Sequence, residues 1–305
     1  MPTGDLYVLG LDLGGSKISG AIVDSQLNLV AEKTVPSRDT ISGIADPGMR
    51  RTKSLIAELC AEARIRGIDL TGGAVGFPEY VNLEGLLTSA DNIDWTVQPQ
   101  EEFARLTGFS WHAQSDVRCA GVAEARIGAG RGVSDFVYIT VSSGISHTHF
   151  LHSRAVTGPR GEAIGFGLTG VDIAGGRFVL ENYCSGLGIA RRYADKSSDF
   201  TIDAKVLTER FDVDDEAHEI ISSACTVLGF EMAKLAAELS THLLVVGGGL
   251  WLGSPKYREL TTDSFHSGCR RMGIDAEIRN AEVAHSGVIG AAIYAFAELD
   301  FSRRI

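Results

Sequence analysis

Residues 6–24, LYVLGLDLGGSKISGAIVD, limit the possible folds of this chain more than any other stretch. Leu6–Leu11 is a run of large apolar residues, Asp12–Lys17 contains a Gly-Gly pair, and Ile18–Val23 resumes with Ile, Ala, Ile and Val. The pattern reads as strand, turn, strand. A Gly-Gly turn lets the backbone approach a ligand closely and aim several N–H groups at one anion, for which phosphate is the obvious candidate. A P-loop or a dinucleotide fingerprint would open a helix at this point. Here ISGAIVD alternates at period two and carries Gly20, a poor helix interior, so the glycines lie at the tip of a hairpin.

Hairpin tips of this kind occur in the actin-like, hexokinase-like phosphotransferases. In such a site Asp12, at the end of the first strand, would hold a magnesium ion through water, because Mg²⁺ dehydrates reluctantly. At 305 residues the chain exceeds one compact core, so two domains with a cleft between them are expected. The net charge of -11 argues against nucleic acid or an anionic membrane surface as a partner. A nucleotide can still bind where backbone N–H groups, Lys17 and a metal ion make the local potential positive. No apolar run approaches the roughly 18 residues that span a bilayer, and MPTGD lacks a basic, apolar signal; a cytoplasmic protein is expected. Cys60, Cys119, Cys184, Cys225 and Cys269 stand singly, which suits reduced, mostly buried thiols.

Further along, Leu27–Glu32 continues the meander as a third strand, and Leu55, Ile56, Leu59, Cys60 and Ala63 mark one face of a helix that stops at Gly67. Ala74–Phe77 is a buried strand. The turn-rich segment from Pro78 to Trp95 reads as a long loop over a cleft, and Pro99 opens a short helix that Gly108 ends. WHAQSD is a strand running into Asp116, followed by a helix of small residues. DFVYITV, SSG and ISHTHFL then repeat strand, small-residue turn and strand, which suggests one architecture used twice. Residues 152–176 are Gly-rich and irregular. A helix is expected from about Phe178 to Ala194, then mostly helix through Leu239 with a break near Phe211–Asp215. The strand Leu243–Val246 runs into Gly247, Gly248 and Gly249, which leave room for a flat adenine or its ribose; a helix, a strand and a last helix from Gly287 complete the chain.

The order of these motifs, with GFPEYVNLEGLLTSADNIDW, GPRGEAIGFG, LENYCSG and LLVVGGG, resembles the ROK family (repressor, open reading frame, kinase) of sugar kinases from Leu6 to GVIGAA. The resemblance implies a duplicated actin-like, ribonuclease H-like α/β fold, with domains over 1–117 and 118–287 and the last helix, about 288–305, returning to the first. It implies ATP and Mg²⁺ as cosubstrate and cofactor, a hexose or N-acetylhexosamine as acceptor, and a homodimer. Asp116 matches the catalytic aspartate, able to take a hydroxyl proton as the γ-phosphoryl group arrives. Asp12, Gly14, Gly15, Ser16 and Lys17 would line the phosphates with Ser142, Ser143 and Gly144; Gly248 and Gly249 would flank the adenosine. Glu79, Ser89, Asn92, Ser115, Glu162 and Glu181 would contact the sugar, Glu181 by accepting bonds from two vicinal hydroxyls.

The sequence departs from the family at several of these places. Ser115 stands where Asn is usual before the catalytic Asp, Ser142 and Ser143 replace a Gly-Thr, and Phe166 replaces the His that ends the substrate loop. A phenyl ring there is expected to cover one edge of the sugar. FGLTGVDIAGGRF contains no Cys or His, so no zinc site is expected. A kinase that has lost turnover and only binds is the alternative reading. A repressor is set aside, because the first strand begins too near Met1 to leave room for a helix-turn-helix.

Overall fold

The computed structural model describes residues 6–15, 17–37, 46, 49–93, 95–173, 175–199 and 201–302, with side chains to 299. The opening hairpin forms: β1 (Tyr7–Leu13) pairs antiparallel with β2 (Lys17–Asp24), and the Gly14 N–H donates to the Lys17 carbonyl at 2.9 Å. Ser16 lies outside the described residues. The third strand, β3 (Leu29–Pro36), starts and ends later than the apolar pattern suggested. Asp24 explains the delay: its carboxylate accepts the Gln26 and Asn28 N–H groups and shapes a turn in which Leu27 has φ 67°.

Helix α1 (Arg50–Ile65) buries Leu55, Ile56, Leu59 and Ala63 and stops before Gly67, whose φ of 66° favours glycine. After β4 (Leu70–Phe77), α2 (Pro99–Thr107) has Pro at its first turn and Gly108 as its left-handed cap. Next, β5 (Trp111–Ser115) passes directly into α3 (Asp116–Ile127). With β4 parallel to β1 and β5 parallel to β4, the sheet order is β3-β2-β1-β4-β5.

The second half repeats this arrangement. β6 (Phe136–Val141), β7 (Ile145–Leu151) and β8 (Arg154–Ala155) form the meander. The stretch expected to be irregular holds a short 3-10 turn (Gly165–Leu168) and a separate hairpin of β9 (Gly170–Ile173) and β10 (Gly176–Val179). Phe178 is therefore strand, not helix. Helix starts at α4 (Leu180–Cys184) and breaks at Ser185, whose hydroxyl accepts the Gly188 N–H and caps α5 (Gly186–Ser197). α6 (Ala204–Glu209), α7 (Asp215–Glu238), β11 (Leu243–Gly247), α8 (Gly249–Gly253), α9 (Pro255–Met272) and β12 (Glu277–Asn280) follow. The sheet order β12-β11-β6-β7-β8, with β11 and β12 both parallel to β6, is that of the first sheet with each strand replaced by its counterpart. α7 has the length and apolarity of a membrane span, but Ile220, Ile221, Leu228 and Met232 bury it in a core.

The chain divides into two compact units: Met1–Arg126 with Thr157–Glu162 and Val283–Ile305, and Ile127–Val156 with Ala163–Glu282. The first unit includes α3 up to Arg126. α10 (Ser286–Ser302) belongs to this unit, where Val288, Ala291 and Ala292 cluster with Val8, Ala74 and Cys119. Glycines permit that contact. A Cβ on Gly10 would lie 2.3 Å from the Val288 carbonyl, and one on Gly290 1.7 Å from that of Cys119.

Candidate functional site

Parallel strands direct their C-terminal ends to one edge of a sheet, where ligands of α/β folds bind. In the first unit β1 ends near Asp12, β4 at Phe77 and β5 at Ser115. Asp12, Gly76 and Gln114 stand in one row across these strands. Asp116 opens α3, and a Cβ on Gly76 would come within 3.1 Å of its Cα, so glycine lets α3 start close to β4.

Both aspartates are half-buried, with an edge open to water and protein around the rest. Burial raises the Asp12 carboxyl to about 6 against the opposing pull of Lys17. Asp116 is raised further, to about 7, first by burial and then by the charge of Asp12, while its bond from the Val117 N–H at 2.7 Å pulls the other way. A cation beside this pair would relieve the cost of charging it. α10 presents its first turn to Asp12, and a Cβ on Gly287 would touch that carboxylate at 2.5 Å. One strand-end carboxylate with open surface and a glycine turn nearby fits Mg²⁺, which keeps its waters and takes few protein ligands. Among the described residues, no group of three or more His, Cys, Asp or Glu is placed to hold a metal.

Glu79 is where the sequence reading needs most revision. Its carboxylate, 2% exposed, accepts the Ser89 hydroxyl and the N–H groups of Asp91, Asn92 and Ile93, the last three at 3.0, 2.6 and 2.9 Å. It thereby organises the long loop rather than presenting free oxygens to a sugar. Ser89 is occupied similarly, since its oxygen also accepts the Tyr80 N–H. Asn92 is exposed, with its amide on the Pro78 carbonyl at 2.6 Å. Gly14, Gly15, Ile18, Pro78, Asn92 and Ile93 help to line a cavity of about 240 Å³ in this unit. The Ser115 hydroxyl is fully enclosed and has no hydrogen-bond partner among the described residues. Glu162 is exposed, and its own backbone N–H, ahead of that of Arg160, holds its carboxyl below the usual range.

The remaining expected residues gather in the second unit. The turn Ser142–Gly144 closes through the Ser142 N–H and the Gly144 carbonyl at 2.8 Å. Glu181 braces it: one carboxylate oxygen accepts the Ile145 N–H at 2.7 Å, and a Cβ on Gly144 would strike that oxygen at 2.6 Å. Gly248, at φ 95°, sits where a Cβ would meet the Val141 carbonyl at 2.4 Å, and Gly249 starts α8 beside the Ser142 hydroxyl. The two glycine-containing turns of this unit are therefore neighbours. Phe166 is 5% exposed and belongs to the hydrophobic core, with its N–H on His147 Nδ1 at 3.1 Å. It does not offer its ring as the edge of a substrate pocket. Gln114, Arg118 and Gly287 were overlooked in the sequence; Gly287 was visible in GVIGAA, but its proximity to Asp12 depends on tertiary structure.

Two sheets of one topology, each with a small-residue hairpin tip, define the duplicated actin-like, hexokinase-like class of α/β proteins. The chain belongs to the ROK family, whose model matches residues 8–298. It is 27% identical over 271 residues to a glucokinase of Streptomyces coelicolor, covering 79% of this chain and 81% of that one. It is 28% identical over 313 residues to an N-acetylmannosamine kinase of Shigella boydii, covering 96% and 99%. A ROK family glucokinase from Streptomyces griseus, solved in complex with glucose and AMPPNP, has the same fold at a TM-score of 0.74 and 24% identity, covering 95% of this chain and 99% of that one.

Proposed function

We propose that this protein is an ATP-dependent sugar kinase that transfers the γ-phosphoryl group to a hydroxyl of a hexose or N-acetylhexosamine, with Asp116 as the base. The observation that carries the assignment is the Asp116 carboxyl, raised to about 7 at the start of α3 with Asp12 close by. A base with a pKa near the working pH combines a useful deprotonated fraction with a real drive to take a proton. The acceptor hydroxyl gives its proton to the Asp116 carboxylate, its oxygen bonds to the γ-phosphorus, and ADP leaves with the electron pair of the broken P–O bond.

Asp12 is the residue proposed to hold Mg²⁺ through water, and the ion would neutralise phosphoryl charge when bound. Gly14, Gly15, Ser16 and Lys17 are proposed for the phosphates, as are Ser142, Ser143 and Gly144, with Gly248 and Gly249 for adenosine. On the acceptor, Asn92, Glu162 and Glu181 keep a proposed contact role, while Glu79 and Ser89 act by holding the loop. The AMPPNP and glucose complex of the Streptomyces griseus relative supports ATP and a hexose as the substrate pair. The kinship with an N-acetylmannosamine kinase keeps N-acetylhexosamines in the set. A coupled ADP-release assay over hexoses and N-acetylhexosamines tests the reading: sugar-dependent ADP release is expected, and none with any sugar at saturating Mg-ATP overturns it.

A further inference from the structure

Arg118 is among the largest fully buried side chains of the protein, and the proposed reaction gives it no role. It lies on α3, two residues after Asp116. Its Nη1 donates to the Val81 carbonyl and to Gln114 Oε1, both at 3.0 Å, and its Nη2 to the carbonyls of Thr157 and Gly161 at 3.0 and 2.7 Å. All four acceptors are neutral. Desolvating a guanidinium costs several kcal/mol, and an uncharged link between two segments would avoid that cost. What the planar fork adds is geometry: it fixes donors in one plane and so fixes the segments that accept from them.

Three segments meet on this fork. Val81 belongs to the loop that Glu79 gathers, Gln114 is the last residue but one of β5 and also accepts the Ser115 N–H at 2.9 Å, and Thr157–Gly161 is the strap that leads into Glu162. The strap is fitted to its place from the other side as well. Gly161 has φ 83°, and a Cβ on it would fall 2.3 Å from the Val81 carbonyl, the same oxygen that Arg118 holds. The Thr88 hydroxyl donates to the Arg160 carbonyl between them. Resting on the acceptor role proposed for Glu162, we propose that Arg118 is a positioning residue of the acceptor site: it locks the Thr157–Gly161 strap and the Val81 loop to the helix that begins with Asp116, and so sets where Glu162 meets the sugar.

The test uses Arg118→Lys, which keeps a cation but not the fork, and Gly161→Ala, which leaves Arg118 intact and pushes the strap off Val81. Small misplacements of a binding group can cost orders of magnitude, so both variants should raise the sugar KM by about ten-fold or more while the ATP KM stays within about three-fold. Hydrogen exchange should show residues 157–162 losing protection in both, with α7 unchanged. Equal rises in both KM values, an unchanged sugar KM in a folded variant, or full protection of the strap in Arg118→Lys would each overturn the proposal. If the unmodified protein releases no ADP with any sugar, the kinase reading fails by itself. The exchange measurement then still decides whether Arg118 holds the strap.

Discussion

Asp12 raises the pKa of Asp116: burial lifts that carboxyl most, the nearby Asp12 charge lifts it next, and the result is about 7. Asp12 itself reaches about 6, against an ordinary value of 3.8 for both. Each carboxyl therefore binds its proton more tightly in the native chain than in the unfolded one. Between about pH 4 and pH 7 the native state holds more protons, so stability falls as pH rises through that window. Asp116→Asn removes one of these titrations. In chelator, its Tm is expected to exceed that of the unmodified protein at pH 8, with the gain vanishing toward pH 4. Parallel melting curves across the range would show that Asp116 titrates normally.

The same substitution tests chemistry separately from stability. A positioned base contributes about 10² to 10⁴ in rate, so Asp116→Asn should lose at least about 10²-fold in turnover while sugar still binds. Steady-state kinetics and calorimetry on one preparation check both halves. Turnover within a few-fold of the unmodified protein would assign the base elsewhere.

Glu79→Gln should loosen the loop without touching the sheet. A glutamine has one acceptor oxygen where the carboxylate serves Ser89, Asp91, Asn92 and Ile93, and its NH₂ would face backbone donors. Hydrogen bonds to charged groups contribute about 1.5 to 3 kcal/mol, so the variant should melt earlier and lose exchange protection over residues 80–93. Unchanged protection there would mean that the loop is held by other contacts.

Elements whose signal is local were legible in the sequence. The β1–β2 tip follows from Gly14 and Gly15, the ends of α2 from Pro99 and Gly108, and the duplicated hairpin from the repeat of its pattern. The junction at Asp116 was visible because a strand of five residues runs straight into it, whereas a role for that carboxylate was suggested only by the family resemblance. Glu79 and Arg118 were not interpretable in the same way, because their partners lie up to 14 and 43 residues distant in the chain. A carboxylate in a turn-rich loop looks the same in sequence whether it serves backbone N–H groups or a ligand. The β9–β10 hairpin was missed for a related reason: Gly175 and Gly176, at φ 111° and 146°, make its turn, but Gly-rich sequence around them masks the alternation.

Phe166 gives the last prediction, one that reverses the expectation from sequence. The family resemblance places it where a His is usual, which led to the expectation that its ring covers one edge of the sugar. The structure turns that ring inward, 5% exposed, among the core residues that include Ile145, Val171 and Leu180. His147 meets it edge-on at 6.0 Å between ring centroids. A side chain facing the core affects stability before specificity. Truncating a buried Phe to Ala costs about 3 to 5 kcal/mol, and Phe166→Leu, which keeps most of the volume, should cost less and remain folded. Its relative kcat/KM values for glucose and for each monodeoxy analogue, apart from the position phosphorylated, should stay within about three-fold of those of the unmodified protein, since no sugar hydroxyl gains or loses a partner. A change of about ten-fold or more against any one analogue would return Phe166 to the acceptor site, because a hydroxyl losing its partner there costs about 1 to 3 kcal/mol.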